Sequence, residues 1–345
     1  MSITFIEDLS DELFHKIFDY LDPWDIYDAF SNLNHRFNEL LKNPSVLYKI
    51  KLNDCFMSDD ILTKNWIKIR CLDQKRICSI HLLMSKNINL LVSTLFINSS
   101  LCSLQSLVLI ELESDTFMLI LEKLVNVPEL RSLTVKELRN LKDLTVTYQL
   151  ILALPSLTYY KMLTMHSNLS ISLPISTQPS PLEYLIIDNS CSFKELSTIL
   201  SYTPQLCHLD FVESRRTEEI IGMIIPWIPM HLTDLRIHVY HVTFDQFEMF
   251  LRKSRPRLKV LKFYTSSKDV AYMDGYRWEQ LIVQDLPQLE KFSLQYMEWV
   301  SGLYRPNIRF GETNPFFSSF WREQQWMFDT KIDGPLFTYS VSPYK

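Results

Sequence analysis

The chain has 345 residues, 47% of them apolar and 13% aromatic, with a formal charge of −5 at pH 7. That is enough material for two ordinary domains, or for a small module followed by a repeat array, with a sizeable core. The modest acidity, with no Lys/Arg cluster to overrule it, gives no footprint for nucleic acid or an acidic membrane surface. Five glycines in the whole chain argue against glycine-rich phosphate loops and hairpin-rich β folds. The cysteines are Cys55, Cys71, Cys78, Cys102, Cys191 and Cys207, and none forms a CxxC pair. The acidic start, Glu7-Asp8 included, lacks the basic region of a secretory signal. Reduced thiols and a cytoplasmic and/or nuclear location are therefore expected. No apolar run reaches the ~18 residues of a membrane span, so no membrane association is expected.

The first fifty residues carry a helical period. Leu9, Leu13, Ile17 and Leu21 recur four apart, with Phe14 and Phe18 beside them. Ser10 can cap the first helix, with Asp11 and Glu12 in its first turn, where acidic groups suit the dipole. Asp22-Pro23 then reads as an N-cap followed by Pro at the first helical position, and Ile26, Ala29 and Phe30 supply that helix's apolar side. A third helix is predicted over roughly Asn34 to Leu41, stopping before Pro44. A module this small cannot enclose a large core, so part of its apolar face is expected to await a partner.

Leu9-Ser10-Asp11-Glu12-Leu13, Ile17-Phe18, Leu21, Asp25-Ile26, Ala29 and Leu33-Asn34-His35-Arg36-Phe37 resemble an F-box. The resemblance covers residues 5 to about 50. It departs at Ser10, where the family usually has Pro, at Leu33-Asn34, and at Phe37, which stands for Trp. The resemblance implies docking to the Skp-type adaptor, and through it to a cullin, in an SCF ubiquitin ligase. Leu9, Leu13, Ile17, Leu21 and Ile26 would line that contact.

Beyond residue 76 the pattern apolar-x-x-apolar-x-apolar starts at Ile77, Leu104, Leu130, Leu157, Leu182, Leu206, Leu232, Leu258 and Leu289. Successive starts differ by 27, 26, 27, 25, 24, 26, 26 and 31 residues. Even spacing of this length is the signature of stacked supersecondary units. Pro128, Pro155, Pro204, Pro256 and Pro287 sit two residues before a unit's first apolar position, where proline ends the preceding helix. Helical stretches fall between the strands, as at Phe117–Leu124, Phe193–Leu200 and Phe244–Leu251.

Strand plus helix at this period resembles the leucine-rich repeat. The resemblance implies an α/β fold in which the three-helix F-box precedes an irregular solenoid, parallel strands on its concave side and helices on its convex side. The expected division is 1–50 F-box-like module, 51–76 helical linker with Trp66, 77–300 repeats with about nine strands, and 301–345 aromatic-rich cap. The ninth position of each repeat holds Ser85, Leu112, Leu138, Met165, Ser190, Ser214, Tyr240, Ser266 and Met297 instead of the family's Asn or Cys. Variable turns are expected in consequence. The long last interval, with Tyr272-Met273-Asp274-Gly275-Tyr276, is expected to carry a protruding loop.

Catalytic signals are absent from the chain's motifs. His238-Val239-Tyr240-His241 is an HxxH spacing that begins on a strand and lacks the Glu of a zinc protease, and there is no nucleophile elbow, P-loop or GxGxxG. A non-catalytic chain without cofactor or metal is expected. What remains is a surface. Alternation along each repeat strand sends Tyr159, Lys161, Asp210, Arg236, His238, Lys262 and Tyr264 to the concave face, with Ser132, Thr134, Lys136, Tyr184, Ile186, His208 and Asp234 among them. Tyr and Arg are common interface anchors, and Arg236 with Lys262 suits an acidic or phosphorylated segment of a target protein. The reading is a two-ended substrate receptor; its rival is a leucine-rich-repeat scaffold with no ubiquitin link, whose first helices only cap the array.

Overall fold

The computed structural model describes residues 6–53, 73–83, 100–138, 144–163, 179–213, 229–254, 257–266, 268–299 and 314–343. The chain forms two compact units: residues 1–142 with 154–157, and residues 143–153 with 158–345.

The first unit opens with three short helices, α1 (Asp11–Phe18), α2 (Pro23–Phe30) and α3 (His35–Lys42). Ser10 and Asp22 occupy N-cap positions without a side-chain capping bond, whereas the Asn34 carboxamide accepts from Phe37 N–H at 3.1 Å. Four parallel strands follow: β1 (Tyr48–Asn53), β2 (Ile77–Leu83), β3 (Ser106–Ile110) and β4 (Ser132–Lys136), in chain order. Helix α4 (Ser114–Leu124) connects β3 to β4 and buries Phe117, Ile120, Leu121 and Leu124.

The sequence reading ended the first module at residue 50 and began a helical linker at 51. Lys51–Asn53 are instead the end of β1, whose Ile50 and Leu52 face the core while Lys49 and Lys51 stay exposed. Trp66 and the linker's middle lie outside the described residues, and Gln74–Arg76 is a single 3-10 turn.

The second unit begins with α5 (Leu144–Leu152), then β5 (Tyr159–Leu163), β6 (Tyr184–Cys191), α6 (Phe193–Ser201), β7 (His208–Glu213), β8 (Asp234–Val239), α7 (Phe244–Ser254), β9 (Val260–Thr265), α8 (Gly275–Asp285) and β10 (Lys291–Trp299). These strands also pair in parallel and in chain order. The nine strands from β2 to β10 coincide with the nine sequence units.

The repetition extends to the backbone. The carbonyls of Thr158, Glu183, Cys207, Thr233 and Lys259 each accept two consecutive N–H groups from the next unit, at 2.8 to 3.0 Å. Gln105 does the same for Arg131 and Ser132 in the first unit. One carbonyl with two lone pairs thereby registers each strand on its predecessor. Helix α6 starts with a reciprocal capping box between Ser192 and Glu195.

Along β3, β5 and β7 to β10 buried residues mostly alternate with half-exposed ones, whereas in β4 Thr134 of the other face is buried as well. In β9 the inward residues are Leu261, Phe263 and Thr265, and in β10 Phe292, Leu294 and Tyr296. Helices cover that inward face: Phe247 of α7 lies 4.3 Å from Phe263, and Trp278 of α8 lies 5.0 Å from Phe292, centroid to centroid. The lengthened last unit does not protrude. Tyr272 is buried, its hydroxyl donating to Val242 O at 3.1 Å, and Trp278 Nε1 donates to Tyr272 O at 2.8 Å. The extra length of this interval pointed to a loop; Tyr272 and Trp278 within it instead fill the core.

The aromatic C-terminal segment is a cap with a specific form. After α9 (Ser319–Glu323), β11 (Trp326–Asp333) and β12 (Leu336–Pro343) form an antiparallel hairpin, and β12 pairs antiparallel with β10. Gly334, at φ 56°, supplies the left-handed residue of the hairpin turn. Trp321 and Trp326 pack on Phe292 at 5.8 and 5.4 Å.

Candidate adaptor-binding and target-binding surfaces

The N-terminal helices enclose an aromatic core. Phe14, Phe18, Phe30 and Phe37 are at most 8% exposed, and Phe14 meets Phe37 edge-on at 4.8 Å. Edge-to-face pairs of this kind add roughly 0.5–1.5 kcal/mol beyond their burial. Phe37, standing where the sequence pattern usually has Trp, is fully buried here, so the smaller ring is accommodated.

Arg36 holds the segment that precedes α1. Its Nε donates to Asp11 Oδ1 at 2.9 Å, and its terminal nitrogens donate to the Glu7 and Leu9 carbonyls. A guanidinium is suited to this because its rigid fork offers several donors at once. Arg76, from the turn before β2, donates to Val46 O at 2.8 Å and Leu41 O at 2.7 Å, with its guanidinium over the Tyr48 ring. Lys49 of β1 pairs with Asp19 at 2.9 Å. The three helices are thus tied to the first two strands.

The expected contact residues divide. Leu13 is 44% exposed, and Leu9, Ile17 and Leu21 are part-buried against the aromatic core while reaching the surface. Ile26 is a correction: at 1% exposure it belongs to the core beside Phe30 and cannot line an external contact. Helical spacing groups residues by face, and α2 turns Ile26 inward with the phenylalanines. The sequence reading missed Tyr20, which is 90% exposed, and Tyr27. Tyr20 continues the Leu13, Ile17 spacing by three residues, so the same period contained it.

Residues 6–49 match the F-box domain. F-box domains bind Skp-type adaptors, and the match supports such a partner for this part of the chain. No curated protein matches the chain.

In the second unit, register assembles the other candidate residues. Lys161, Ile186, Asp210, Arg236 and Lys262 form one row across β5–β9. Tyr159, Tyr184, His208 and Asp234 form the row before it, and His238 and Tyr264 pair in the row after it. All seven expected residues lie on the face opposite the helices. Tyr159 and Tyr184 are 6.2 Å apart, and Tyr184 stacks on His208 at 5.6 Å. His238 lies 6.1 Å from Tyr264 and 4.5 Å from Tyr240.

These rows carry charges of both signs. Arg236 Nη1 lies 3.9 Å from Asp210 Oδ2, and His208 Nδ1 lies 3.9 Å from Asp234 Oδ1. Burial pushes the Asp210 carboxyl above its ordinary value, more than Arg236 pulls it down. Burial also lowers His208, favouring the neutral imidazole, against the pull of Asp234. Arg236 therefore already faces an acid, and this face is of mixed sign with an aromatic ladder.

Glu213 was not foreseen. This buried residue at the end of β7 accepts from Tyr240 N–H at 2.6 Å and His241 N–H at 3.2 Å with one carboxylate oxygen. It bonds the turn backbone of the next unit, the task that the missing Asn would perform. Burial raises its pKa despite both donors. Only the register of a residue 27 positions away reveals this role. Cys78 is buried, while Cys102 and Cys207 are part-buried, and all three are free. Among the described residues no group of three or more His, Cys, Asp or Glu is placed to hold a metal ion, His238 and His241 included.

Proposed function

We propose that this chain is a substrate-recognition adaptor of an SCF-type cullin–RING ubiquitin ligase. The F-box holds the Skp-type adaptor, and the repeats, read as a leucine-rich-repeat solenoid, hold a target protein on the face carrying Tyr159, Lys161, Asp210, Arg236, His238, Lys262 and Tyr264. The carrying observation is a folded F-box whose aromatic core leaves Leu13 exposed and Ile17 half-exposed one helical turn apart. Such a chain does no bond chemistry. It raises the local concentration of target lysines near the ubiquitin-loaded enzyme, in the cytoplasm or nucleus.

Co-purification with a Skp-type adaptor tests this, comparing wild type with the Leu13→Arg, Ile17→Arg pair. Stable one-to-one capture, lost in the pair, supports the reading; no capture by folded wild type defeats it. The second reading, a repeat scaffold without a ubiquitin link, draws on the Arg76 and Lys49 contacts, by which the same helices also cap the strands. Absence of capture favours it.

A further inference from the structure

The outward face of the first unit differs in charge from that of the second. Strand register aligns Lys51 of β1, His81 of β2, Val108 of β3 and Thr134 of β4 in one row. Leu83, Ile110 and Lys136 form the next. Leu83, Val108 and Ile110 are half-exposed, and they lie between two lysines at opposite corners. These rows hold two lysines and a histidine and no acidic residue. Lys49, two residues before Lys51, is already paired with Asp19. Neither Lys51 nor Lys136 makes an ion pair among the described residues.

We infer that this face docks an acidic polypeptide segment, with aliphatic side chains on Leu83, Val108 and Ile110 and carboxylates at Lys51 and Lys136. The site uses none of the seven residues named in the proposed function and stands whether or not the chain joins a ligase.

The spacing sets the ligand. Three strand separations of about 4.8 Å and two residues of about 3.3 Å place the two lysine backbones about 16 Å apart. An extended peptide covers that span in about five residues. The fitting segment therefore carries two acids four or five positions apart, with aliphatic residues between. The apolar floor favours a polypeptide over a nucleic-acid backbone, which offers phosphates without aliphatic side chains to bury. The existing electrostatics agree. His81 is held below its ordinary pKa, first by burial and then by Lys51 and Lys136. Lys51 also acts on Asp22, pulling down a carboxyl that burial pushes up.

The test is fluorescence anisotropy on the full chain with a labelled peptide carrying two aspartates five positions apart around leucine and isoleucine. Controls are its alanine-for-aspartate copy and a short uridine oligonucleotide. The expected result is binding of the acidic peptide alone. It should weaken about tenfold in Lys51→Glu, Lys136→Glu, with circular dichroism unchanged, and weaken also as salt rises above about 0.15 M. If that pair fails to fold, Lys51→Gln, Lys136→Gln gives a smaller loss in the same direction. No binding by wild type overturns the inference. Equal binding of the alanine copy, unchanged binding by a folded variant pair, or preference for the oligonucleotide overturns it also.

Discussion

Replacing Glu213 tests whether one buried carboxylate substitutes for the side-chain ladder that this chain lacks. The residue is 5% exposed and accepts two turn N–H groups, from Tyr240 and His241. Glu213→Leu keeps the volume and removes both acceptors. A buried N–H left unpaired costs about 1–3 kcal/mol. His241 is exposed, so water can take up its N–H, whereas Tyr240 is half-buried. Removing the carboxylate also relieves its own desolvation. The net loss is therefore about 1–3 kcal/mol, with Glu213→Gln, which keeps a carbonyl acceptor, losing about half of that. Urea unfolding gives the magnitude, and amide hydrogen exchange gives the location. Protection of Tyr240 and His241 should fall in the Leu variant and persist in the Gln variant. Unchanged stability and protection in Glu213→Leu would refute the reasoning. The pH dependence has a fixed sign. Because the folded carboxyl sits above its ordinary 4.5, the folded chain holds the proton more tightly than the unfolded chain. This contribution is complete below about pH 4.5 and is lost as pH rises through the elevated value. Gln does not titrate, so the advantage of wild type over Glu213→Gln narrows from acid to neutral pH.

Phe37→Ala should cost about 3–5 kcal/mol, since it empties the centre of the F-box core, and it should abolish adaptor capture by unfolding the module; far-UV circular dichroism and a capture assay read both. Arg36→Met should leave the three helices folded but release the segment before α1, seen as faster amide exchange at residues 6–10 and a loss of about 1–2 kcal/mol. Gly275→Ala should drive its new methyl into the Pro315 carbonyl and the Phe316 ring. A loss of about 1–3 kcal/mol and altered tryptophan emission from Trp321, which packs edge-on against Phe316, would register the displaced cap.

Periodic features were legible in the sequence and features depending on distant partners were not. The nine strand positions followed from the Leu-rich spacing because each unit buries the same three positions. β1 escaped because it lacks that spacing, although Lys49, Ile50, Lys51 and Leu52 alternate as a half-buried strand should. In the F-box, Leu13 and Phe14 belong to two adjacent apolar stripes. Which stripe faces inward is decided by Phe30 and Phe37 from other helices, so Ile26 was placed on the wrong side. The seven residues expected on the repeat surface do share a face, because alternation along a strand is local. The pairing of Arg236 with Asp210 is a cross-strand fact that alternation within one strand does not contain.

The C-terminal hairpin also bears on how the sheet ends. Parallel strands stacked in order could in principle accept another copy's strand at the open edge, as templated assemblies do. Here β12 reverses direction against β10, and the last strand presents Asp329, Lys331 and Asp333, all exposed. Charged groups on a terminal strand would have to be desolvated by any newcomer. The hairpin thus ends the array on a strand carrying charges of both signs, as well as covering its core.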